Sequence, residues 1–249
     1  MISSASPSVR EGFRARRARL RRIASRFDAP SHLWGYIVGK LALDPAYSAV
    51  LEHVRDSGTP IIDVGCGLGL LAHYLREHDC HTPIVGYDLD AEKIARAEAA
   101  ARRAGLANVV FRHGDAAEHG DGSATIVLLD VLHYLAREHQ RDLLARLARN
   151  EGTVLIRNGL RDRSWRYHVT LIEEYWTRWS GWIPSRAPIH FPTREEILAP
   201  FHEAGRAWET RPLWGMTPFS SQLFVFAPTA PPHPAPAAAT SQAPAPRLL

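Results

Sequence analysis

Cysteine is almost missing from this chain of 249 residues: Cys66 and Cys80 are the only two. That is too few for a disulfide framework and fits a reducing compartment such as the cytoplasm. No run of about 18 apolar residues occurs, so no membrane span is expected. Thirteen histidines are scattered with no C-x-x-C pair beside them, and no metal site is expected. There is no internal repeat of usable period. What remains is an apolar content of 45%, enough to bury the core of one good-sized α/β domain with arms, and nothing demands a second domain.

The net charge of +4 hints at nucleic acid until it is divided along the chain. Residues 1–27 carry eight arginines against Glu11, a net +7, which leaves −3 for residues 28–249. The positive charge belongs to an arm, whereas a surface built for nucleic acid would carry its basic stripe on the body as well. The arm lacks the continuous apolar stretch of a secretory signal, although an arginine-rich, acid-poor start resembles an organelle transit peptide. Arg10 to Phe27 reads as a basic helix, either solvated or docked on the domain, with RNA, anionic lipid or an acidic carrier protein as alternative partners. At the other end, residues 228–249 are Pro, Ala, Thr and Ser without periodicity, a composition that reads as a disordered tail. The expected organisation is therefore a basic arm (1–27), one domain (28–227) and the tail.

The centre of the chain is Pro60 to Leu71, PIIDVGCGLGLL. An apolar β-branched run is followed by Gly65, Gly67 and Gly69, and then by Leu70, Leu71, Tyr74 and Leu75 at helical spacing, which predicts strand, tight turn and helix. Such a turn brings backbone N–H groups and a helix N-terminus to a ligand. A dinucleotide fingerprint would require glycine at position 70, where Leu70 stands. Asp63 also places a carboxylate where a diphosphate would be repelled. From Thr59 onward βαβ units alternate: strands at Ile61–Val64, Ile84–Tyr87, Val109–Arg112, Ala124–Leu129 and Thr153–Arg157. Asp90 caps a helix stopped by Gly105, and Thr193 with Glu196 forms a capping box. Two closing strands follow at Trp208–Pro212 and Leu223–Phe226.

With Asp88 ending the second strand and Gly114-Asp115-Ala116 after the third, residues 59–227 resemble the class I S-adenosylmethionine-dependent methyltransferases. The resemblance implies an α/β, Rossmann-like doubly wound sheet of seven strands, mostly parallel with one antiparallel edge strand, N-terminal helices and a helical insertion after strand five. It implies S-adenosyl-L-methionine as cofactor: Asp63, Gly65, Cys66, Gly67 and Gly69 around the methionine part, Asp88 on the ribose hydroxyls, and Leu89 against adenine. Asp115 and Ala116 would meet the adenine amine, and Asp130 at the end of strand four would lie near the reacting methyl.

Methyl transfer from a sulfonium is an in-line displacement in which alignment in a dry pocket supplies most of the acceleration. At the end of strand four LLDVLHYL offers His133 as a base or a pocket wall, and His168 is a second candidate base. The Asn-Pro-Pro-Tyr tetrad of relatives acting on amide or base nitrogens is absent, which favours a hydroxyl or activated carbon as acceptor. IRNG at 156–159 and RYHVTLIEEY at 166–175, with Arg157, His168, Thr170 and Glu174, resemble methyltransferases associated with aryl-polyene or fatty-acid-like pigment biosynthesis. Ser220-Ser221-Gln222 departs from the Thr-Ser-Asn of that pattern. Gly159 to Pro192 holds four of the seven tryptophans, either a lid over an apolar acceptor or packing. The expected enzyme methylates a small aromatic or acyl molecule, free or on an acidic carrier protein. The alternatives are an RNA methyltransferase using the arm and a non-catalytic cofactor-binding partner subunit.

Overall fold

The structure is a computed structural model and describes residues 12–115, 122–179, 189–215 and 217–228. Three helices come first: α1 (Phe13–Ser25), α2 (Ser31–Leu43) and α3 (Ala46–Val54). Then follow β1 (Ile61–Val64), α4 (Leu70–Glu77), β2 (Ile84–Asp88), α5 (Ala91–Ala104), β3 (Val109–His113) and β4 (Thr125–Leu129). After a 3₁₀ turn over Leu132–Tyr134 come α6 (Arg137–Ala148), β5 (Val154–Gly159), α7 (Trp165–Trp179), α8 (Arg194–Glu203), β6 (Trp208–Pro212) and β7 (Ser221–Phe226).

The sheet has seven strands in the order β3-β2-β1-β4-β5-β7-β6. β1 to β5 pair in parallel, and β7 runs against both of its neighbours, β5 and β6. The reversed strand thus lies one place in from the edge, with β6 outside it. The chain reverses its order between β1 and β4, where open α/β sheets bind ligands beyond the strand ends.

Strand alternation divides the core into two layers. Val127 and Leu155 point to the side covered by α1–α5, with Ile61, Ile84 and Phe111. Ile126, Leu128, Val154 and Ile156 point to the other side, under α6 and α8. The predicted caps form: the Asp90 side chain accepts from the Glu92 and Lys93 N–H groups, Gly105 takes φ 59°, and Thr193 and Glu196 close a capping box. Helix α1 docks on the domain, burying Leu20, Ile23, Ala24 and Phe27, while Arg22 and Arg26 pair with Glu77 on α4. At the far end of the sheet, buried Arg206 donates to the carbonyls of Asn150 (2.6 Å), Gly152 (2.5 Å) and Ala227 (3.0 Å), joining three chain segments. No helix among the described residues is long and apolar enough to cross a membrane.

Candidate active site

The turn between β1 and α4 is held by backbone. The N–H groups of Gly65 and Cys66 both donate to the Tyr87 carbonyl, at 2.8 and 2.9 Å, and Gly65, Gly67 and Gly69 all have positive φ (72°, 54° and 71°). Their roles differ. A Cβ on Gly65 would lie 2.5 Å from Val131 Cγ2, and one on Gly69 would lie 2.3 Å from Phe111 Cζ. These two glycines permit close packing. Around Gly67 nothing lies within 4 Å of the same position, so its backbone faces open space, as a ligand cradle requires. Cys66 is half-buried, and burial, followed by the charges of Asp63 and Asp88, pushes its thiol up, which makes it a packing residue.

Asp88 is already engaged. One carboxylate oxygen accepts from the Gly67 N–H and the other from the Asp90 N–H, each at 2.8 Å. Each oxygen keeps a second lone pair for a ribose hydroxyl. Leu89 beside it is 66% exposed, an apolar side chain with one bare face. Asp115 is exposed at the end of the same edge; Ala116 lies outside the described residues. Asp63 is 3% exposed, and burial, reinforced by the charge of Asp88, raises its carboxyl to about 7. A buried carboxyl of this kind fits a cationic ligand group, whose arrival would stabilise the ionised form.

The tips of β4 and β5 gather side chains from distant segments. Lys40 on α2 lies 2.9 Å from Asp44 and 3.8 Å from Asp130, while buried Arg157 at the end of β5 lies 3.6 Å from Asp44 and also pairs with Asp130. Burial alone would raise the Asp44 carboxyl, but Arg157 and Lys40 outweigh it and hold it below its ordinary value. Burial would lower the Lys40 ammonium, but Asp44 and its neighbours hold it above. Asp130 has φ 60°, a left-handed conformation costing roughly 1–2 kcal/mol for a residue with a Cβ. Its N–H, donating to the Arg157 carbonyl at 2.8 Å, helps to hold it there. The network clamps the end of α2 over the tips of β4 and β5.

His133 lies on the other side of those tips, 1% exposed. The Asn158 amide donates to the Gly159 carbonyl at 2.7 Å, which turns its Oδ1 toward His133 Nδ1, 3.2 Å away. Nδ1 therefore carries the proton of that bond. The second ring nitrogen, Nε2, lies 3.2 Å from Glu174 Oε1 on α7, though off the line of a straight hydrogen bond. The Tyr134 hydroxyl donates to the other Glu174 oxygen at 2.8 Å, and the Phe191 ring stacks on the imidazole at 4.9 Å. Burial would raise the Glu174 carboxyl, but the neighbouring His133 ring and the Tyr134 hydroxyl hold it low. Burial, followed by Glu174, raises the Tyr134 phenol.

His168 is exposed on α7 with its ring beside Tyr167 at 5.5 Å, about a third of a turn round the helix from Glu174, so His133 and His168 do not form a pair. Thr170 is buried, accepting from the Ser220 N–H at 2.9 Å and thereby fixing α7 to the start of β7. Trp165, Ile172, Tyr175 and Trp176 stay exposed, and an open apolar groove of about 480 Å³ runs between α7 and Phe219. His78 and His81 have H-x-x-H spacing, but His78 contacts Arg19, and the described residues contain no group of three metal-ligating side chains. Sequence reasoning missed Lys40, Asn158 and the place of Asp44 between Lys40 and Arg157. Asp44 Oδ1 also accepts from the Ala46 N–H at 2.9 Å, although the N-cap position of α3 is held by Pro45. The available signal for the rest was a lysine one helical turn before an aspartate, ahead of a buried-strand arginine.

Comparisons with known proteins agree with this geometry. Residues 61–150 match a family model described as a methyltransferase domain. Among curated proteins, none matches the sequence. Solved structures similar to it include the magnesium protoporphyrin IX methyltransferase of Synechocystis PCC 6803 with bound S-adenosylhomocysteine (19% identity, 85% of this chain and 93% of that one, TM-score 0.58). An O-methyltransferase family protein from Burkholderia thailandensis is similar at 18% identity over 84% of this chain and 62% of that one, TM-score 0.57. A Haloferax volcanii complex of the Trm112 activator with a methyltransferase is similar at 16% identity over 78% and 93%, TM-score 0.56. The residues of the glycine turn, the buried Asp63 and the open face at Gly67 and Leu89 fit S-adenosylmethionine, residues 61–150 carry a methyltransferase domain, and the fold around them is that of S-adenosylmethionine-dependent methyltransferases.

Proposed function

We propose that this methyltransferase acts on a hydroxyl of a small aromatic or acyl molecule, free or presented on a carrier protein, with activated carbon as the nearest variant. The observation that carries this reading is His133, buried at the tip of β4 and set between Asn158 and Glu174. A hydroxyl must lose a proton as it gains a methyl group, and a histidine–carboxylate pair is suited to take it. DVLH at 130–133 in place of a grip for a planar amino group points the same way, and an O-methyltransferase family protein shares the fold.

When bound, S-adenosylmethionine would supply an electrophilic methyl group carried on a sulfonium, with the electron pair staying on sulfur when the acceptor oxygen takes the methyl. Asp63 would balance the ammonium, Gly65, Cys66, Gly67 and Gly69 would shape the turn around the methionine part, and Asp88 would hold the ribose. Leu89 would cover one face of the adenine, with Asp115 toward its amine. Asp130, tied to Lys40 and Arg157, keeps α2 closed over the reacting end. His133 and Glu174 act as one unit. Asn158 fixes the Nδ1 proton, so the acceptor's proton passes to the Nε2–Oε1 pair, where the charge is shared with the Tyr134 hydroxyl. Phe191, with Tyr167 of α7 packed edge-on against it, keeps water from the imidazole.

The test is an S-adenosylhomocysteine-release assay over hydroxyaryl and hydroxyacyl acceptors, free and carrier-bound, beside amines and RNA. Turnover on hydroxyls that falls in His133→Ala supports the reading. Turnover confined to nitrogen acceptors or RNA overturns it, and cofactor binding without turnover on any acceptor identifies a partner subunit.

A further inference from the structure

Helix α1 spends its arginines in two ways. On the inner side Arg16 donates to the Ala42 carbonyl at 2.6 Å, Arg19 contacts the His78 ring at 2.7 Å, and Arg22 and Arg26 pair with Glu77. On the outer side Arg14, Arg17 and Arg21 are exposed and have no ion pair or hydrogen bond among the described residues. Their spacing of three and four residues puts them on one face, in a row roughly 10 Å long. The row works against the helix that carries it. Like charges at this spacing repel, Arg14 and Arg16 stand at the positive end of the helix dipole, and the first turn holds no acid to compensate.

We infer that the outer face of α1 is a docking surface for an acidic protein, one that presents carboxylates at helical spacing to Arg14, Arg17 and Arg21. Charge complementarity selects the partner. A nucleic acid would meet further basic groups beyond the row, but the neighbouring arginines of α4 and α5 are occupied. Arg76 is held by the carbonyls of Cys80 and Thr82, Arg96 by Glu92, Arg102 by Glu98 and Arg103 by Asp28. Beyond residue 27 the chain is net negative. Three cations over this length match a carboxylate-bearing helix better than the six to ten phosphates of a typical nucleic-acid contact. The side chains beside the row that the structure describes, Ala18 and Ser25, offer nothing to insert into a lipid surface. Guanidinium groups suit such a contact because they pair bidentately with carboxylates and lose little hydration on burial. The inference stands whichever acceptor is methylated.

The experiment uses the full chain and fluorescence anisotropy at low salt with three probes: a helical peptide with glutamate at every third and fourth position, a 12-nucleotide single-stranded RNA, and vesicles containing phosphatidylserine. The expected result is preferential binding of the peptide, weakened at least tenfold when Arg14→Glu, Arg17→Glu and Arg21→Glu are combined. The paired change Arg96→Glu with Arg102→Glu should shift it less than twofold. Calorimetry with S-adenosylhomocysteine reports that each variant is folded; if the triple reversal loses that binding, the Arg→Gln triple replaces it. Peptide affinity unchanged by the triple substitution overturns the inference, as does tighter binding of RNA or vesicles than of peptide. Failure of methyl transfer to hydroxyls, with this result intact, would count against the proposed function alone.

Discussion

The two halves of the site are built on different principles. The half that fits the cofactor, from β1 through the end of β2, is a backbone construction: three left-handed glycines, paired N–H groups on the Tyr87 carbonyl, and Asp88 tied to Gly67 and Asp90. All of it comes from residues 61–90. The acceptor half is a side-chain construction in which Lys40 and Asp44 meet Asp130 and Arg157, and His133 meets Asn158, Glu174 and Phe191. A backbone cradle recognises what all substrates of such a domain share. Side chains gathered from far apart can be exchanged one at a time, which is where a particular acceptor can be specified.

The largest break in this contrast should come from Gly69→Val. Positive φ and a Cβ overlapping Phe111 forbid it, and we expect no detectable S-adenosylhomocysteine binding by calorimetry. Next, His133→Ala should lower turnover about 10²- to 10⁴-fold with cofactor affinity nearly unchanged; an equal loss of affinity would place His133 in the cofactor half. Asp88→Ala should weaken cofactor binding by about 1–3 kcal/mol while the thermal midpoint moves little, and unchanged affinity would remove Asp88 from the ribose.

The last effect concerns Asp63. Its folded carboxyl titrates near 7 and its unfolded one near the ordinary value of about 3.9. Between those values the folded state binds more protons than the unfolded one, so the free energy of unfolding should fall as pH rises from about 4 to about 7 and level off above. The slope is at most about 1.4 kcal/mol per pH unit, and Asp63→Asn should flatten it in denaturant titrations. If Asp63 meets the cofactor's ammonium, binding at pH 6 should also release a proton, measurable as a dependence of the binding heat on the buffer.

What could be read from the sequence follows the same division. The glycine turn, the Asp90 and Gly105 caps and the Thr193–Glu196 box depend on residues a few positions apart, and their chemistry is local. Asp88 was legible as a strand-end acid, but its two backbone bonds were not, because they depend on how the turn packs back on β2. Lys40 and Arg157 stand 117 positions apart, and nothing local requires them to meet. His133 was visible as a titratable group at a strand tip, and Glu174 only through resemblance. Their contact required α7 to lie across the tips, a position fixed where its Thr170 meets Ser220 and where Phe191 stacks on His133, two further segments. His168 attracted attention by its type, but helical geometry turns it outward.

Arg157 and Asn158 are consecutive on β5, so they project to opposite faces of the sheet. One reaches Asp44 and restrains α2; the other reaches His133, which Glu174 connects to α7. A slip of β5 by a single position would exchange the two, offering an amide to the carboxylates and a cation to the imidazole. The six-pair ladder with β7 thus guards these contacts as well as stability, and an insertion or deletion within 154–159 would release α2 and α7 at once.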